Sequence, residues 1–153
     1  MEQAGKGADS DVLLFVYGSL KRGMANHGHL HDTRWLEDAQ LQGLALYDLG
    51  PFPMAVVSDN NGDVIQGELF CVAPHQLAAL DRFEGAPRLY QRRRWPLADG
   101  RWAWVYLGAA RQVSHVARIS SGCWQGPAPN VRRTGPPPAN ARPQPATAPE
   151  PKR

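Results

Sequence analysis

Glu84 is the residue whose type and place most suggest chemistry. A helical pattern begins at Pro74, repeats apolar side chains at Leu77, Leu80 and Phe83, and stops at Gly85. Glu84 therefore falls in the last turn, at the negative end of the helix dipole, where a lysine or arginine would be more stabilising. Asp81 lies three residues earlier on the same face. Both effects raise the pKa expected of Glu84, and any burial raises it further, giving a carboxyl group able to accept and return a proton near neutrality. Read by itself, the same residue also fits an exposed surface glutamate, with Arg82 near enough to neutralise the effect.

A second group suits binding. Phe15-Val16-Tyr17-Gly18-Ser19-Leu20-Lys21-Arg22-Gly23 carries an apolar run into a loop bounded by two glycines. A strand that ends in Gly-Ser lets backbone N–H groups turn outward as a small anion-binding nest suited to a carboxylate, although the same residues also make a plain tight turn. Ser19 has no recognisable His–Asp partnership and is not read as a nucleophile. His27, His29 and His31 alternate. No cysteine or second cluster stands at ligand spacing near them, so surface or loop histidines are expected and no metal site.

The elements that must hold these groups can be read around them. Residues 12–17 form a continuous apolar, β-rich run that suits a strand buried on both faces. Residues 18–23 are the loop, and 26–32 have room for one helical turn. A strand is expected over 39–48 and another over 54–57, which the turn Asp59-Asn60-Asn61-Gly62 joins to 64–72 as a hairpin. Residues 74–84 are the amphipathic helix, with Pro74 at a favoured first position and Gly85 as its stop. Residues 90–97 and 101–107 flank Asp99-Gly100 as a second hairpin. On its first strand Arg92 and Arg94 suit steering of an anionic substrate, while the run Arg92-Arg93-Arg94 equally suits an exposed stretch that protects a sheet edge. Short strands with one main helix predict an α+β fold built on a small mixed β-sheet or barrel.

Composition bounds the function classes. The 153 residues suffice for one core. The formal charge of +3 comes from the tail: residues 127–153 carry +4 and residues 1–126 carry −1. A near-neutral body offers no electrostatic footprint for a phosphate backbone, and the tail has no aromatic residue to stack a base, so no nucleic acid is expected as a partner. Cys71, inside an apolar run and read as core, and Cys123 are expected as free thiols. No apolar stretch is long enough for a signal peptide or membrane span, so a cytoplasmic protein without a membrane partner is expected. Nine of the fourteen prolines fall in 127–153. That segment is expected to be a disordered, dispensable basic tail, after a flexible stretch 1–11 and a domain over 12–126.

Three segments in order, Tyr17-Gly18-Ser19-Leu20, Leu80-Asp81-Arg82-Phe83-Glu84-Gly85 and Tyr90-Gln91-Arg92, resemble the γ-glutamylcyclotransferase-like superfamily, in particular its γ-glutamylaminecyclotransferase and AIG2-like branch. Asn26-His27, Phe52-Pro53-Met54-Ala55-Val56 and Gly67-Glu68-Leu69-Phe70 look like the same pattern, so the resemblance spans about residues 12–124. Cys123 departs from it, standing where an acidic residue is often found. The resemblance implies a γ-glutamyl substrate that cyclises to 5-oxoproline and releases a free amine, without a cofactor. It implies Glu84 as the catalytic acid/base and Tyr17, Gly18, Ser19, Leu20 and Tyr90 as substrate-binding residues, with the loop amides holding the α-carboxylate. A binding module that has kept the pocket and lost turnover is the alternative. The leaving amine and the oligomeric state are not specified by these motifs.

Overall fold

The computed structural model describes residues 11–127. The expected N-terminal segment 1–11 and tail 127–153 thus lie outside the described residues, apart from Asp11 and Pro127. Seven strands form one sheet: β1 (Val12–Val16), β2 (Arg34–Gln42), β3 (Leu44–Asp48), β4 (Pro53–Val57), β5 (Val64–Val72), β6 (Gln91–Pro96) and β7 (Trp102–Leu107). One α-helix, α1 (Pro74–Glu84), stands between β5 and β6. The strand order is β2-β5-β1-β7-β4-β3, with β6 also on β7.

β6 pairs antiparallel along all of β7, so β1 and β4 share the other edge of β7, both parallel to it, through Leu14 opposite Trp104 and Ala55 opposite Leu107. The sheet curls until the β6–β7 hairpin reaches back to β2. The Trp95 indole N–H donates to the Gln42 carbonyl at 2.8 Å, and Arg101 pairs with Glu37 at 3.0 Å. The result is the α+β half-barrel with one helix that the sequence predicts.

β1 shows why its residues had to be apolar throughout. Side chains alternate across a strand, and here Leu14 and Val16 enter one core layer while Phe15 and Tyr17 enter the other. The helix covers the first layer with Leu77 and Leu80. It starts with Pro74 at its first position, where a missing N–H costs nothing, and the Gln76 side chain accepts the Ala73 N–H at 2.7 Å. It ends because Gly85 adopts the left-handed conformation, φ 70°, and the N–H groups of Gly85 and Ala86 close back on Arg82 and Asp81. Helix boundaries 74–84 match the sequence expectation.

Four expectations change. The strand expected over 39–48 is two, broken where Gly43 takes φ 86°. β2 begins at Arg34, earlier than expected, since its first half is an exposed edge in which Trp35 and Leu36 stand side by side, at a bulge, and so break the alternation that marks a strand. The turn at 59–62 forms, with Asp63 N–H on Asn60 O at 3.0 Å, yet β4 and β5 are not a hairpin. β4 is paired with β3 and β7, and β5 with β1 and β2. Gly43 instead holds both ends of the turn, donating to Asp63 O at 2.7 Å and accepting from Ser58 N–H at 2.9 Å. The hairpin expected over 90–97 and 101–107 is present as β6–β7. Both cysteines are free, and Cys71 is half-buried rather than core.

Candidate active site

The end of α1, the loop after β1 and the centre of the sheet converge on one set of groups. Leu77 and Leu80 pin the inner face of α1, which turns Glu84, seven residues after Leu77, toward the same side. Glu84 keeps partial contact with solvent, while its carboxyl is enclosed by protein; burial pushes its pKa from 4.5 up to about 8. Among the described residues, no hydrogen bond or ion pair holds this carboxyl. Of the causes read in the sequence, burial is the one that acts. Asp81 does not act on Glu84, because it is itself engaged: the Arg92 guanidinium donates to it at 2.8 and 3.1 Å and the Tyr106 hydroxyl at 2.8 Å. Burial opposes the charge on Asp81, but these bonds and the guanidinium charge outweigh it and hold the carboxyl below its ordinary pKa.

Asp81, Arg92 and Tyr106 thereby fasten the last turn of α1 to the β6–β7 hairpin, and Arg92 also lies over the Trp104 ring at 4.3 Å. Arg92 is thus a structural tie rather than a free steering charge. Tyr106, opposite Arg92 in the ladder, had no signal in the sequence, since register alone brings it to Asp81.

The phenols around Glu84 are all buried or nearly so. Tyr17, Tyr90 and Tyr106 are raised above the ordinary tyrosine pKa, first by burial, and the Glu84 charge adds to the rise at each. They stay protonated and act as donors. The Tyr17 hydroxyl donates to Tyr106 O at 2.6 Å and accepts from Ala55 N–H at 3.1 Å, so it fills the gap where β4 and β7 separate. Tyr90 donates to Pro53 O at 2.9 Å. Both tyrosines thus spend their hydroxyl protons on backbone carbonyls.

Tyr17 leads into the loop. Gly18 is not in the left-handed region; a Cβ there would stand 2.7 Å from the Pro53 ring, so it is glycine because Pro53 lies against it. Lys21 N–H donates to Gly18 O at 3.0 Å and Asn26 N–H to Ser19 O at 2.9 Å. The His27 Nδ1–H donates to Leu20 O at 3.0 Å. A peptide plane holds its N–H opposite its C=O, so the N–H groups of Ser19 and Leu20 face away from those partners. Among the described residues no protein acceptor meets either N–H, although Leu20 is only 4% exposed. Ser19 is half-buried, and two adjacent N–H groups left without acceptors in a turn are the geometry by which a backbone concavity can meet an anion.

The rest of the loop is anchored. The Lys21 ammonium donates to Trp124 O at 2.6 Å, next to the half-buried Cys123, and Arg22 N–H donates to the buried Glu68 carboxylate at 3.0 Å. His29 stacks on Phe83 with ring centroids 4.0 Å apart, which joins the loop side to the helix end. Among the described residues no group of three His, Cys, Asp or Glu side chains is arranged to hold a metal ion. Among the described residues no helix is long and apolar enough to cross a membrane.

The model of one protein family, gamma-glutamyl cyclotransferase, AIG2-like, matches residues 14–126. The chain belongs to this family. A Vibrio cholerae protein named as a gamma-glutamylcyclotransferase by similarity is 35% identical over 113 residues, covering 73% of this chain and 94% of its own length. The human gamma-glutamylaminecyclotransferase is 36% identical over 92 residues, covering 53% of this chain and 58% of its own. The crystal structure of a mouse AIG2-like protein superposes with a TM-score of 0.59 at 23% identity, over 79% of this chain and 99% of that one, which supports the fold. In this AIG2-like chain the Glu84 charge acts on both Tyr17 and Tyr90, so these three share one neighbourhood, and the Gly18–Ser19–Leu20 loop follows Tyr17 in the chain. The residues quoted in the sequence without a role, Asn26 and Glu68, turn out to anchor that loop.

Proposed function

We propose that this chain is an enzyme that cyclises the γ-glutamyl group of a γ-glutamyl amine or amino acid to 5-oxoproline and releases the free amine. The observation that carries the proposal is the Glu84 carboxyl, raised to about 8 and without a protein partner among the described residues, close enough to Tyr17 for its charge to act there. The family membership supports the same reading.

In this reading the N–H groups of Ser19 and Leu20 hold the substrate α-carboxylate, and Tyr17, Gly18 and Tyr90 wall the site. Glu84 takes a proton from the α-ammonium group, and the freed nitrogen attacks the γ-carbonyl carbon. The new C–N bond closes the ring and leaves its nitrogen with a second proton to lose; as the bond to the leaving amine breaks, Glu84 returns the first proton to the departing nitrogen and the ring nitrogen's second proton passes to the same amine, which leaves as an ammonium ion. No atom or electron is gained or lost, so the reaction needs no co-reactant. The enzyme's task is to fold the substrate into a near-attack conformer, a contribution of up to ~7–11 kcal/mol, and to carry protons from the attacking to the departing nitrogen, roughly 10²–10⁴-fold.

Incubation of the full chain with γ-glutamyl amines, γ-glutamyl amino acids and glutathione, scored by 5-oxoproline release, tests this. Release from at least one class, lost in Glu84→Gln, is expected. Binding without release from any member of the panel would leave a binding module in place of the enzyme.

A further inference from the structure

We infer that Asn26 is a positioning residue that commits the Ser19 hydroxyl proton to the bound carboxylate, adding a third donor to the two loop amides. This rests on the carboxylate-holding role proposed for the loop. Asn26 grips Ser19 twice: its backbone N–H donates to Ser19 O at 2.9 Å, and its side-chain Nδ2 donates to Ser19 Oγ at 2.9 Å.

The two bonds have different consequences. The backbone bond turns the peptide between Ser19 and Leu20, so that the Leu20 N–H points the opposite way. The side-chain bond occupies an acceptor site on the Ser19 oxygen. A hydroxyl has one proton to give and two lone pairs to receive with, so the proton of Ser19 is left to be donated elsewhere. Among the described residues it meets no acceptor. A hydroxyl that already accepts a hydrogen bond is also polarised into a stronger donor. Ser19 is half-buried and carries one of the two unpartnered N–H groups, so an anion held there meets Ser19 N–H, Ser19 O–H and Leu20 N–H together.

The first probe is 5-oxoproline, which carries the α-carboxylate and is not turned over. Its Kd is measured by calorimetry on wild type, Asn26→Ala, Ser19→Ala, the double variant and Asn26→Asp, with the amide signals of Ser19 and Leu20 followed by NMR. KM and kcat are measured on the same proteins with whichever substrate of the panel is turned over. Asn26→Ala and Ser19→Ala should each weaken 5-oxoproline binding and raise KM about tenfold, as expected for one hydrogen bond to a charged group, with little change in kcat. Because Asn26 acts through Ser19, the double variant should be no worse than the worse single variant.

Aspartate at position 26 has the shape of asparagine but only acceptors. It should take up the hydroxyl proton, put a negative charge beside the site and weaken binding further than alanine does. Being isosteric, it keeps the test open where alanine disturbs the fold. Losses that multiply in the double variant, or an unchanged Kd in Asn26→Ala and Asn26→Asp, would overturn the inference. If wild type binds 5-oxoproline but turns over nothing in the panel, the proposed reaction fails and the Kd series still decides the role of Asn26. If wild type binds neither 5-oxoproline nor any member of the panel, both fail.

Discussion

Replacing Glu84 by glutamine keeps the shape of the side chain and removes both its charge and its exchangeable acid proton. The structure sets the size and the pH dependence of the effect on stability. In the unfolded chain the carboxyl loses its proton near 4.5, while in the folded chain burial holds the proton until about 8. The sign is that of an acid with a raised pKa: the folded state binds more protons than the unfolded one between these values, so stability falls as pH rises through 4.5 to 8 and levels off above. At ~1.36 kcal/mol per pH unit the full window corresponds to roughly 5 kcal/mol, and about 3 kcal/mol of it is reached by pH 7. Partial contact of Glu84 with solvent reduces this, so a gain of about 1–3 kcal/mol is expected for Glu84→Gln at pH 7, or roughly 4–15 °C in Tm. The two proteins should be equally stable near pH 4.5, and the gap should open with rising pH. Turnover should fall at least ~100-fold, the usual size of a general acid/base contribution. Thermal and urea melts at several pH values, with 5-oxoproline release on the same preparations, check both. Stability curves that run parallel at all pH values, or near-normal turnover in the folded variant, would refute the reasoning.

Three further outcomes follow from the same geometry. Arg92→Ala leaves the Asp81 carboxylate with only the Tyr106 hydroxyl and should cost about 1–3 kcal/mol at pH 7. Because the Asp81 pKa is lowered, the contribution of the pair is present above 3.8 and lost as pH falls through the folded value, so urea melts of wild type and variant should converge in acid. Tyr17→Phe strands Ala55 N–H and Tyr106 O in the core and should lower stability by about 1–3 kcal/mol in the same assay. Gly18→Val drives its side chain into Pro53, 2.7 Å from the first added carbon, and should cost about 1–3 kcal/mol by overpacking while raising KM as the loop is displaced. A fully stable and active Gly18→Val protein would remove the argument for a tightly seated loop.

Much of the frame was legible in the sequence because its signals are local. Pro74 and Gly85 bracket a helix through backbone constraints that neighbouring residues cannot override. The apolar run over 12–17 could only be a strand covered on both sides, and Asp99-Gly100 closes the β6–β7 hairpin with Gly100 at φ 94°. Glu84 and the glycine loop were also visible, as a misplaced charge and a strand end free of side-chain bulk. What the sequence could not carry was any fact that depends on a partner distant in the chain. The turn at 59–62 looked like a hairpin because its residues specify reversal of direction, but pairing depends on which edges are free, and β3 and β7 had taken those of β4. Asp81 looked like a neighbour able to perturb Glu84; Arg92 and Tyr106, brought there by the register of β6 on β7, claim it instead. The hydroxyls of Tyr17 and Tyr90 are spent on carbonyls that no local pattern points to. Even the raised pKa of Glu84, anticipated from dipole and charge with burial as a further contribution, owes its size to burial, whose extent no local pattern gives. Residue type and spacing specify which groups are present and how the chain turns near them, whereas desolvation and hydrogen-bond occupancy are properties of the space that other segments enclose.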